Sequence, residues 1–219
     1  MLIGVPKEIK NRENRVGLTP ESVQELIAAG HQVLVESHAG QGINASDDDY
    51  IMAGAALAAN ATEVFAQAEM IVKVKEPQAI ERAMLCEGQL LFTYLHLAPD
   101  AEQTKDLVAS GATCIAYETI TSASGALPLL APMSEVAGRM SIQAGSHVLE
   151  KTQGGRGMLL GGVPGVAPAK VVVIGGGVVG SNAVQMALGA RADVTVLDRS
   201  KQALVYLDQE FGGAVKTVY

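Results

Sequence analysis

The chain has 219 residues, of which 48 % are hydrophobic and 18 % are charged, so it is long enough and apolar enough to bury a substantial core. Sixteen basic and 23 acidic residues give a net charge of −7, which argues against nucleic acid or an anionic membrane as the main partner. Aromatic residues make up 4 % of the chain and glycine contributes 24 residues, a composition that favours an α/β protein over a sandwich of aromatic-rich strands.

The cysteines and the N-terminus bear on the cellular compartment. Cys86 and Cys114 lie far apart and have no CxxC spacing, so we expect two buried free thiols rather than a disulfide. Only residues 1–5 are apolar before the first charges, which is too short a run for a secretory signal peptide. The longest apolar run, residues 171–180, is about half of a membrane span. We therefore expect a cytoplasmic protein.

Strand-like and helix-like segments alternate through the first part of the chain, which is typical of a parallel sheet with covering helices. The first strand is predicted at Leu2–Val5, and Thr19 caps the helix that follows, with Pro20 at its first position and Gly30 as its stop. Strands are further predicted at Gln32–Glu36, Met70–Val74, Leu90–Tyr94 and Thr113–Tyr117, and helices near Ala61–Gln67, Gln78–Ala83 and Ala101–Ser110.

The pattern changes after residue 130. A helix of about sixteen residues, capped by Ser134, is predicted to run on to Lys151. Its small residues Gly138 and Gly145 would let another backbone approach closely. The next segment, residues 153–168, contains six glycines and two prolines. It is either a flexible linker or a loop that lies near a ligand.

A dinucleotide-binding motif follows. Val171–Ile174 is a β-branched run, predicted as a strand buried on both faces. Residues 175–180, GGGVVG, then fit the GxGxxG pattern and lead into a helix from about Val179 to Leu188. A second strand at Asp193–Leu197 ends at the acidic residue 198. The complete strand–glycine turn–helix–strand–acid order predicts a cofactor-binding βαβ unit.

Each residue of this motif has a distinct expected role. Gly175 allows the tight turn, Gly177 lets a pyrophosphate approach the backbone, and Gly180 lets the helix pack on the strand. The helix N-terminus offers free N–H groups to the phosphates. Asp198 would accept hydrogen bonds from the adenosine ribose and repel a 2′-phosphate, which predicts NAD. Because the neighbouring Arg199 could hold a 2′-phosphate, NADP remains the alternative.

Four segments resemble the alanine dehydrogenase and transhydrogenase family, and they occur in the same order. Residues 4–20, GVPKEIKNRENRVGLTP, are similar to the family's N-terminal signature, and residues 171–198 are similar to its NAD-binding signature. Between them, IVKVKEP at residues 71–77 and FTYLHLA at residues 92–98 resemble the alanine dehydrogenases in particular. The resemblance extends from Met1 to about Tyr219.

The resemblance implies two Rossmann-like parallel-sheet domains and the reversible, NAD-dependent oxidative deamination of L-alanine to pyruvate and ammonia. It implies that Arg15 and Lys75 bind the substrate carboxylate and orient its carbonyl, and that His96 is the general acid and base. Tyr94 would line the pocket, or else only pack in the core. The implied cofactor-binding residues are Ser134, Gly175, Gly177, Val178, Val179, Gly180 and Asp198. No metal is implied, and the family forms homo-oligomers, with a hexamer as the expected state.

The sequence departs from the family pattern at its end. From Lys170 onward only 50 residues remain, enough for the adenine-side half, with a helix near Lys201–Phe211 and a third strand at Ala214–Val218. The nicotinamide-side half and the family's second catalytic acid, an aspartate, are missing. We therefore expect a C-terminally truncated chain that binds the adenine side weakly and has lost turnover. The predicted domains are 1-132 for substrate, 133-169 as connecting helix and glycine-rich loop, and 170-219 for NAD.

Two other interpretations stay open. The soluble NAD-binding component of a proton-translocating transhydrogenase shares the N-terminal and glycine signatures, although Lys75 and His96 in their settings favour the dehydrogenase. The second is a non-catalytic oligomerising or regulatory fragment, which the departure at the end of the chain suggests. Saccharopine dehydrogenases are a more distant possibility.

Overall fold

The computed structural model describes residues 1–219, which divide into two units, residues 1–127 and 128–219. The first unit contains six parallel strands in the order β3-β2-β1-β4-β5-β6. The strands are β1 (Leu2–Val5), β2 (Gln32–Glu36), β3 (Ala56–Ala58), β4 (Met70–Val72), β5 (Leu90–Thr93) and β6 (Thr113–Ala116). The helices are α1 (Pro20–Ala28), α2 (Asp47–Met52), α3 (Ala61–Gln67), α4 (Ala79–Arg82) and α5 (Ala101–Ser110).

The predicted α/β fold with parallel sheets is confirmed, but two elements were not predicted. Helix α2 starts at a capping box, in which Ser46 and Asp49 each satisfy the other's backbone N–H. Strand β3 follows it with only three residues. Both elements are shorter than the windows in which hydrophobic periodicity is readable, so composition alone gave no signal for them.

The strand order places the loops that matter at one edge. The chain first builds outward from β1 to β3 and then returns to build β4, β5 and β6 on the other side of β1. Because every strand is parallel, the loops that follow β1, β4 and β5 all leave the same edge, next to the point where the order reverses. This carboxyl edge is the position where α/β sheets bind ligands.

Both faces of the first sheet are buried, as expected for a parallel sheet between helices. Successive residues of β2 show this, since Val33 and Val35 belong to one apolar cluster and Leu34 to the other. In β1, Gly4 lies under α3, and a Cβ there would lie 2.6 Å from the Cβ of Ala68. The core of the first unit is therefore two apolar layers with the sheet between them.

A buried lysine lies at the carboxyl edge of β4. The Lys73 side chain is 0 % exposed, and its Nζ lies 2.7 Å from Glu81 Oε1 and 3.1 Å from Glu8 Oε2. The other oxygen of Glu8 accepts from the backbone N–H of Val74 at 2.6 Å. Burial raises the pKa of the Glu81 carboxyl. This cluster, Glu8–Lys73–Glu81, ties together the loop after β1, the loop after β4 and helix α4.

The second unit contains a three-stranded parallel sheet in the order β7-β8-β9. Its elements are α6 (Ala131–Val148), β7 (Lys170–Ile174), α7 (Val178–Gly189), β8 (Asp193–Leu197), α8 (Lys201–Glu210) and β9 (Lys216–Val218). Its apolar core forms between α7, α8 and the sheet. None of the helices in the chain has both the length and the apolar character that crossing a bilayer requires.

The long helix α6 differs from its prediction at both ends. It begins at Ala131, and the backbone N–H of Ser134 already donates to Leu130 O at 3.1 Å, so Ser134 lies inside the first turn and is not the cap. Pro132 fits in that turn because its missing N–H would have no partner there. The helix ends at Val148, before the predicted Lys151, and a short 3-10 turn follows.

Two predictions of burial are wrong. Strand β7 is buried on one face only, since Val172 is 60 % and Ile174 86 % exposed, while Val171 and Val173 pack against the core. The reason is that no other element packs closely over the second face of β7 at these residues. The two cysteines are free, as predicted, but Cys86 is exposed and Cys114 half-buried. Cys86 lies in the segment between α4 and β5, outside the elements that form the core.

Replacing Lys73 tests the buried cluster. Lys73→Met should lower the free energy of unfolding by about 3–5 kcal/mol, because Glu8 and Glu81 would stay buried without their cation. In the matched control Lys105→Met, which removes an exposed lysine from α5, the change should be below about 0.5 kcal/mol. Urea unfolding curves of the three chains give these values.

The pH dependence of the loss provides a second check. A carboxyl whose pKa is raised by folding favours the folded state at low pH, and this stability is lost as the pH rises through the raised pKa. The Lys73→Met loss should therefore be smaller at pH 5 than at pH 8. An equal loss in both lysine variants, or one independent of pH, would contradict this account of the cluster.

Candidate functional site

Four predicted site residues lie together at the carboxyl edge of the first sheet. Arg15 is on the loop after β1, Lys75 on the loop after β4, and Tyr94 and His96 on the loop after β5. The rings of Tyr94 and His96 stack with centroids 5.9 Å apart and planes 23° apart. Lys75 Nζ and His96 Nδ1 lie 3.7 Å and 3.6 Å from the same oxygen, Oε2 of Glu76. The charge of Arg15 acts on both Lys75 and Tyr94.

Arg15 is oriented by a carboxylate two residues before it. Its Nε donates to Glu13 Oε1 at 2.8 Å and its Nη2 donates to Glu13 Oε2 at 2.6 Å. The paired charges and hydrogen bonds lower the pKa of Glu13 and raise that of Arg15. Glu13 thus engages two of the five guanidinium N–H donors and fixes the plane of the group. A cavity of about 240 Å³ adjoins this pair and is lined by Arg15 but not by Lys75 or His96.

Lys75 is held by its backbone. Strand β4 ends at Val72 and not at the predicted Val74, so Lys75 lies within the loop that follows the strand. Its N–H donates to Glu8 Oε1 at 3.4 Å, and its carbonyl accepts from Thr93 Oγ1 at 2.9 Å. Burial, with the nearby charges of Lys10 and Arg15, lowers the pKa of Lys75. The fold therefore fixes the backbone of Lys75, and burial partly destabilises the positive charge of its ammonium group.

His96 has an unusual backbone. Its φ of +48° lies in the left-handed region, which residues with a side chain rarely adopt. The carboxylate of Glu118 holds this conformation, because its Oε1 accepts from the N–H of His96 at 2.7 Å and of Leu95 at 3.2 Å. Burial and the charge of Lys75 lower the pKa of His96. The imidazole is consequently biased toward its neutral form, and it stays 44 % exposed.

Tyr94 both packs in the core and borders the site. It is buried, and its ring meets that of Tyr117 edge-on at 4.9 Å. Its other ring contact is with His96. Burial raises the pKa of the Tyr94 hydroxyl, which therefore stays protonated. The structure combines the two roles that the sequence left as alternatives.

Three site carboxylates were not singled out from the sequence. Glu13 is two residues from Arg15 and Glu76 is next to Lys75, so a search for charge partners around these two cations would have found both. Glu118 is 22 residues from His96 in the chain, and no local pattern connects the two. Its contact with the His96 backbone depends on β5 and β6 being adjacent in the sheet.

The glycine turn of the second unit lies between β7 and α7. Gly175 has a φ of +98°, and its N–H donates to Leu197 O at 2.8 Å. A Cβ on Gly180 would lie 1.8 Å from the carbonyl oxygen of Gly175, so only glycine allows α7 this close to the turn. Above Gly177 there is open space, with no heavy atom within 4 Å of a Cβ built there. The turn therefore presents bare backbone at the N-terminus of a twelve-residue helix.

Asp198 follows β8 and faces this turn. Its Oδ2 accepts from the N–H of Gly176 at 2.6 Å and its Oδ1 accepts from the N–H of Ser200 at 2.7 Å. These hydrogen bonds lower the pKa of Asp198 and keep it ionised. A cavity of about 450 Å³ adjoins it and is lined by Ile174, Gly175, Leu197, Asp198, Arg199 and Tyr219. Both candidate ribose-side residues, Asp198 and Arg199, border the same space.

Ser134 and the glycine turn share a groove of about 1190 Å³ within the second unit. Helix α6 packs against α7 through Gly138, where a Cβ would lie 2.2 Å from Val179 O, as its small size predicted. Gly145 faces open space, so the same prediction is wrong there. The predicted cofactor residues that line the groove are Ser134, Gly175, Gly177, Val178, Val179 and Gly180.

Comparison with known protein families assigns both parts of the chain. Residues 4–137 match the family model of the alanine dehydrogenase/PNT N-terminal domain, and residues 141–219 match that of the C-terminal domain. The chain belongs to the alanine dehydrogenase/PNT family.

Relatives within this family are similar over the whole chain. It is 61 % identical to an alanine dehydrogenase of Halomonas elongata and 54 % identical to one of Bacillus subtilis, over 100 % of its own length in each case. It covers 59 % of the first protein and 57 % of the second, so it spans somewhat more than half the length of these curated relatives.

Solved structures of two branches of the family share this fold. An L-alanine dehydrogenase superposes over 100 % of the chain and 60 % of its own length, with a TM-score of 0.92 and 52 % identity. A transhydrogenase from Sinorhizobium meliloti superposes over 100 % of the chain and 61 % of its own length, with a TM-score of 0.82 and 25 % identity. The sequence is thus much more similar to the dehydrogenase branch of the alanine dehydrogenase/PNT family.

Proposed function

We propose that this chain carries the substrate site and the adenine-side cofactor site of an NAD-dependent alanine dehydrogenase. The reaction is the reversible oxidative deamination of L-alanine to pyruvate and ammonia. The observation that carries the proposal is the convergence of Lys75 and His96 on one carboxylate oxygen at the carboxyl edge of the sheet. Membership of the alanine dehydrogenase/PNT family supports it.

In this proposal two cations recognise the substrate carboxylate. Arg15 has a planar fork that suits a carboxylate, and Glu13 has already set its plane. Lys75 supplies a second positive charge, and its lowered pKa limits this role to pH values below that pKa. Pyruvate binding should therefore weaken as the pH rises through the pKa of Lys75.

His96 is proposed as the general acid and base. Its lowered pKa keeps the imidazole neutral near neutral pH, which lets it accept a proton from the water that attacks the imine of the substrate. In the direction of alanine synthesis the same nitrogen returns that proton as water leaves. The stacked ring of Tyr94 limits how far the imidazole can turn away from its position.

The second unit fits a dinucleotide. Bare backbone above Gly177 and the N-terminus of α7 suit a pyrophosphate, and the ionised Asp198 suits ribose hydroxyls. Ser134, Val178 and Val179 line the same groove and would contact the cofactor beside the glycine turn. When bound, NAD accepts the hydride from the substrate carbon. We propose NAD over NADP because Asp198 would repel a 2′-phosphate.

We propose that these 219 residues carry the residues that bind pyruvate and the residues that bind the adenine side of the dinucleotide. The three strands β7, β8 and β9 correspond to one half of a dinucleotide fold. Hydride transfer requires a nicotinamide ring fixed at roughly 3–3.5 Å from the substrate carbon, which is the task of the other half. The proposed assembly is a homo-oligomer.

A second candidate is the soluble NAD-binding component of a transhydrogenase, favoured by the likeness to the Sinorhizobium meliloti structure. That component would bind the dinucleotide and no pyruvate. A non-catalytic oligomerising protein would bind pyruvate without any turnover and form larger particles. Pyruvate binding and a sensitive assay of L-alanine oxidation separate the three functions.

Arg15→Lys tests carboxylate recognition. The ammonium group cannot form the two parallel hydrogen bonds of the guanidinium, so pyruvate affinity should fall about tenfold or more. Titration calorimetry with pyruvate measures this, and Arg12→Lys, an exposed residue of the same loop, should leave the affinity within about twofold. An unchanged affinity in Arg15→Lys would remove Arg15 from the substrate site.

Gly177→Ala tests the cofactor site. The added methyl group enters open space and leaves the fold intact, but it occupies the position of the pyrophosphate and should weaken NADH binding about tenfold or more. NADH fluorescence titration measures the affinity. Gly189→Ala at the end of α7, where a Cβ also meets nothing, is the matched control and should bind NADH normally. Equal NADH affinity in both variants would place the cofactor elsewhere.

A further inference from the structure

One carboxylate at the carboxyl edge has an oxygen without a hydrogen-bond partner. Glu76 is 16 % exposed, and its Oε1 forms an ion pair with Lys10. Its Oε2 is buried and accepts no hydrogen bond. A buried oxygen of this kind is unfavourable and uncommon in folded proteins, so its position calls for a physical reason.

The surroundings of this oxygen suggest the reason. His96 Nδ1 lies 3.6 Å from this oxygen. A normal N–H···O distance is about 2.9 Å. The backbone of His96 is held by Glu118, and its ring stacks beside that of Tyr94 with the two planes 23° apart. A shift of about 0.7 Å would bring the two atoms to a normal N–H···O distance.

We propose that Glu76 is the positioning residue of His96, with its free Oε2 accepting the Nδ1–H of the imidazole. The neutral ring is then held in the tautomer whose Nε2 is unprotonated and available as the base. The role of Nε2 as the base rests on the function proposed above. The orientation of the ring by Glu76 stands on the geometry of the first unit alone.

Lys75 is the other group near this oxygen, at 3.7 Å. Its ammonium has three equivalent donors and no tautomer, so it needs no partner to define its chemistry. Imidazole has two distinct nitrogens, and the one that carries the proton is set by the hydrogen bond the other makes. We therefore assign the unpartnered oxygen to His96, with Lys75 as a neighbouring charge.

Lys10 determines how Glu76 can act. It pairs with Oε1 and leaves only Oε2 for the imidazole. The charged and titratable groups that face His96 are Glu76, Lys75, Lys10, Glu118 and Tyr94. Without the carboxylate of Glu76, less negative charge would offset Lys75 and Lys10, and the protonated imidazole of His96 would be less stable.

The proton balance of the step follows from this arrangement. The oxygen of water bonds to the carbon of the protonated imine, and the electron pair of the C=N bond moves to nitrogen. His96 Nε2 takes one proton from that water and becomes imidazolium. Glu76 keeps its negative charge, stabilises the imidazolium through Nδ1–H and takes no proton itself.

The test is ¹⁵N NMR of the imidazole nitrogens in the full 219-residue chain, with and without pyruvate. His96→Asn identifies the His96 signals among the four histidines. We expect wild-type His96 to carry its neutral proton on Nδ1. In Glu76→Gln the amide oxygen pairs with Lys10 and the NH₂ group faces Nδ1, so the proton should move to Nε2 and the titration midpoint of His96 should fall.

Glu25→Gln, an exposed residue of α1, is the matched control and should leave both readouts unchanged. A purely structural Glu76 would leave the tautomer and the midpoint as in the wild type, and this result would overturn the proposal. If Glu76→Gln does not fold, the wild-type tautomer decides, since a proton on Nε2 contradicts the proposal. Failure of the wild type to bind pyruvate would refute the proposed function, while the ligand-free spectra still decide the role of Glu76.

Discussion

Glu8 joins the buried lysine of the first sheet to the backbone of the proposed substrate site. One of its oxygens binds Lys73 Nζ, and the other accepts from the N–H groups of Val74 and Lys75. Because the lysine is fully buried, both of its carboxylate partners must stay in place to compensate its charge. The loops that carry Arg15 and Lys75 are consequently fixed by an interaction that lies beneath the site.

Above this cluster, three carboxylates contact the cations and the imidazole of the proposed site. Glu13 sets the plane of Arg15, Glu118 sets the backbone of His96, and Glu76 lies between Lys75 and His96. The charges of these groups nearly balance, while burial still lowers the pKa of both Lys75 and His96. We propose on this basis that Arg15 and Lys75 bind the carboxylate of a substrate and that His96 accepts a proton.

The sequence predicts local features of this molecule well and long-range ones poorly. The glycine turn and Asp198 are readable because fixed spacing within one βαβ unit brings them together. Lys73 and Glu8 are 65 residues apart, so their pairing depends on β1 and β4 being neighbours, which no local pattern reveals. Exposure of β7 was mispredicted for the same reason, because burial of a strand depends on what covers it. The mistaken cap at Ser134 is different, since Pro132 permits an earlier helix start that propensity rules also allow.

The central claim is that the carboxyl edge of the first sheet binds a small 2-oxo acid between Arg15, Lys75 and His96. A crystal structure of the chain grown with pyruvate measures this most directly. The account predicts the pyruvate carboxylate against the Arg15 guanidinium and Lys75, with its carbonyl directed toward His96. Pyruvate bound elsewhere, or saturating pyruvate that leaves these three side chains without a ligand, would contradict it.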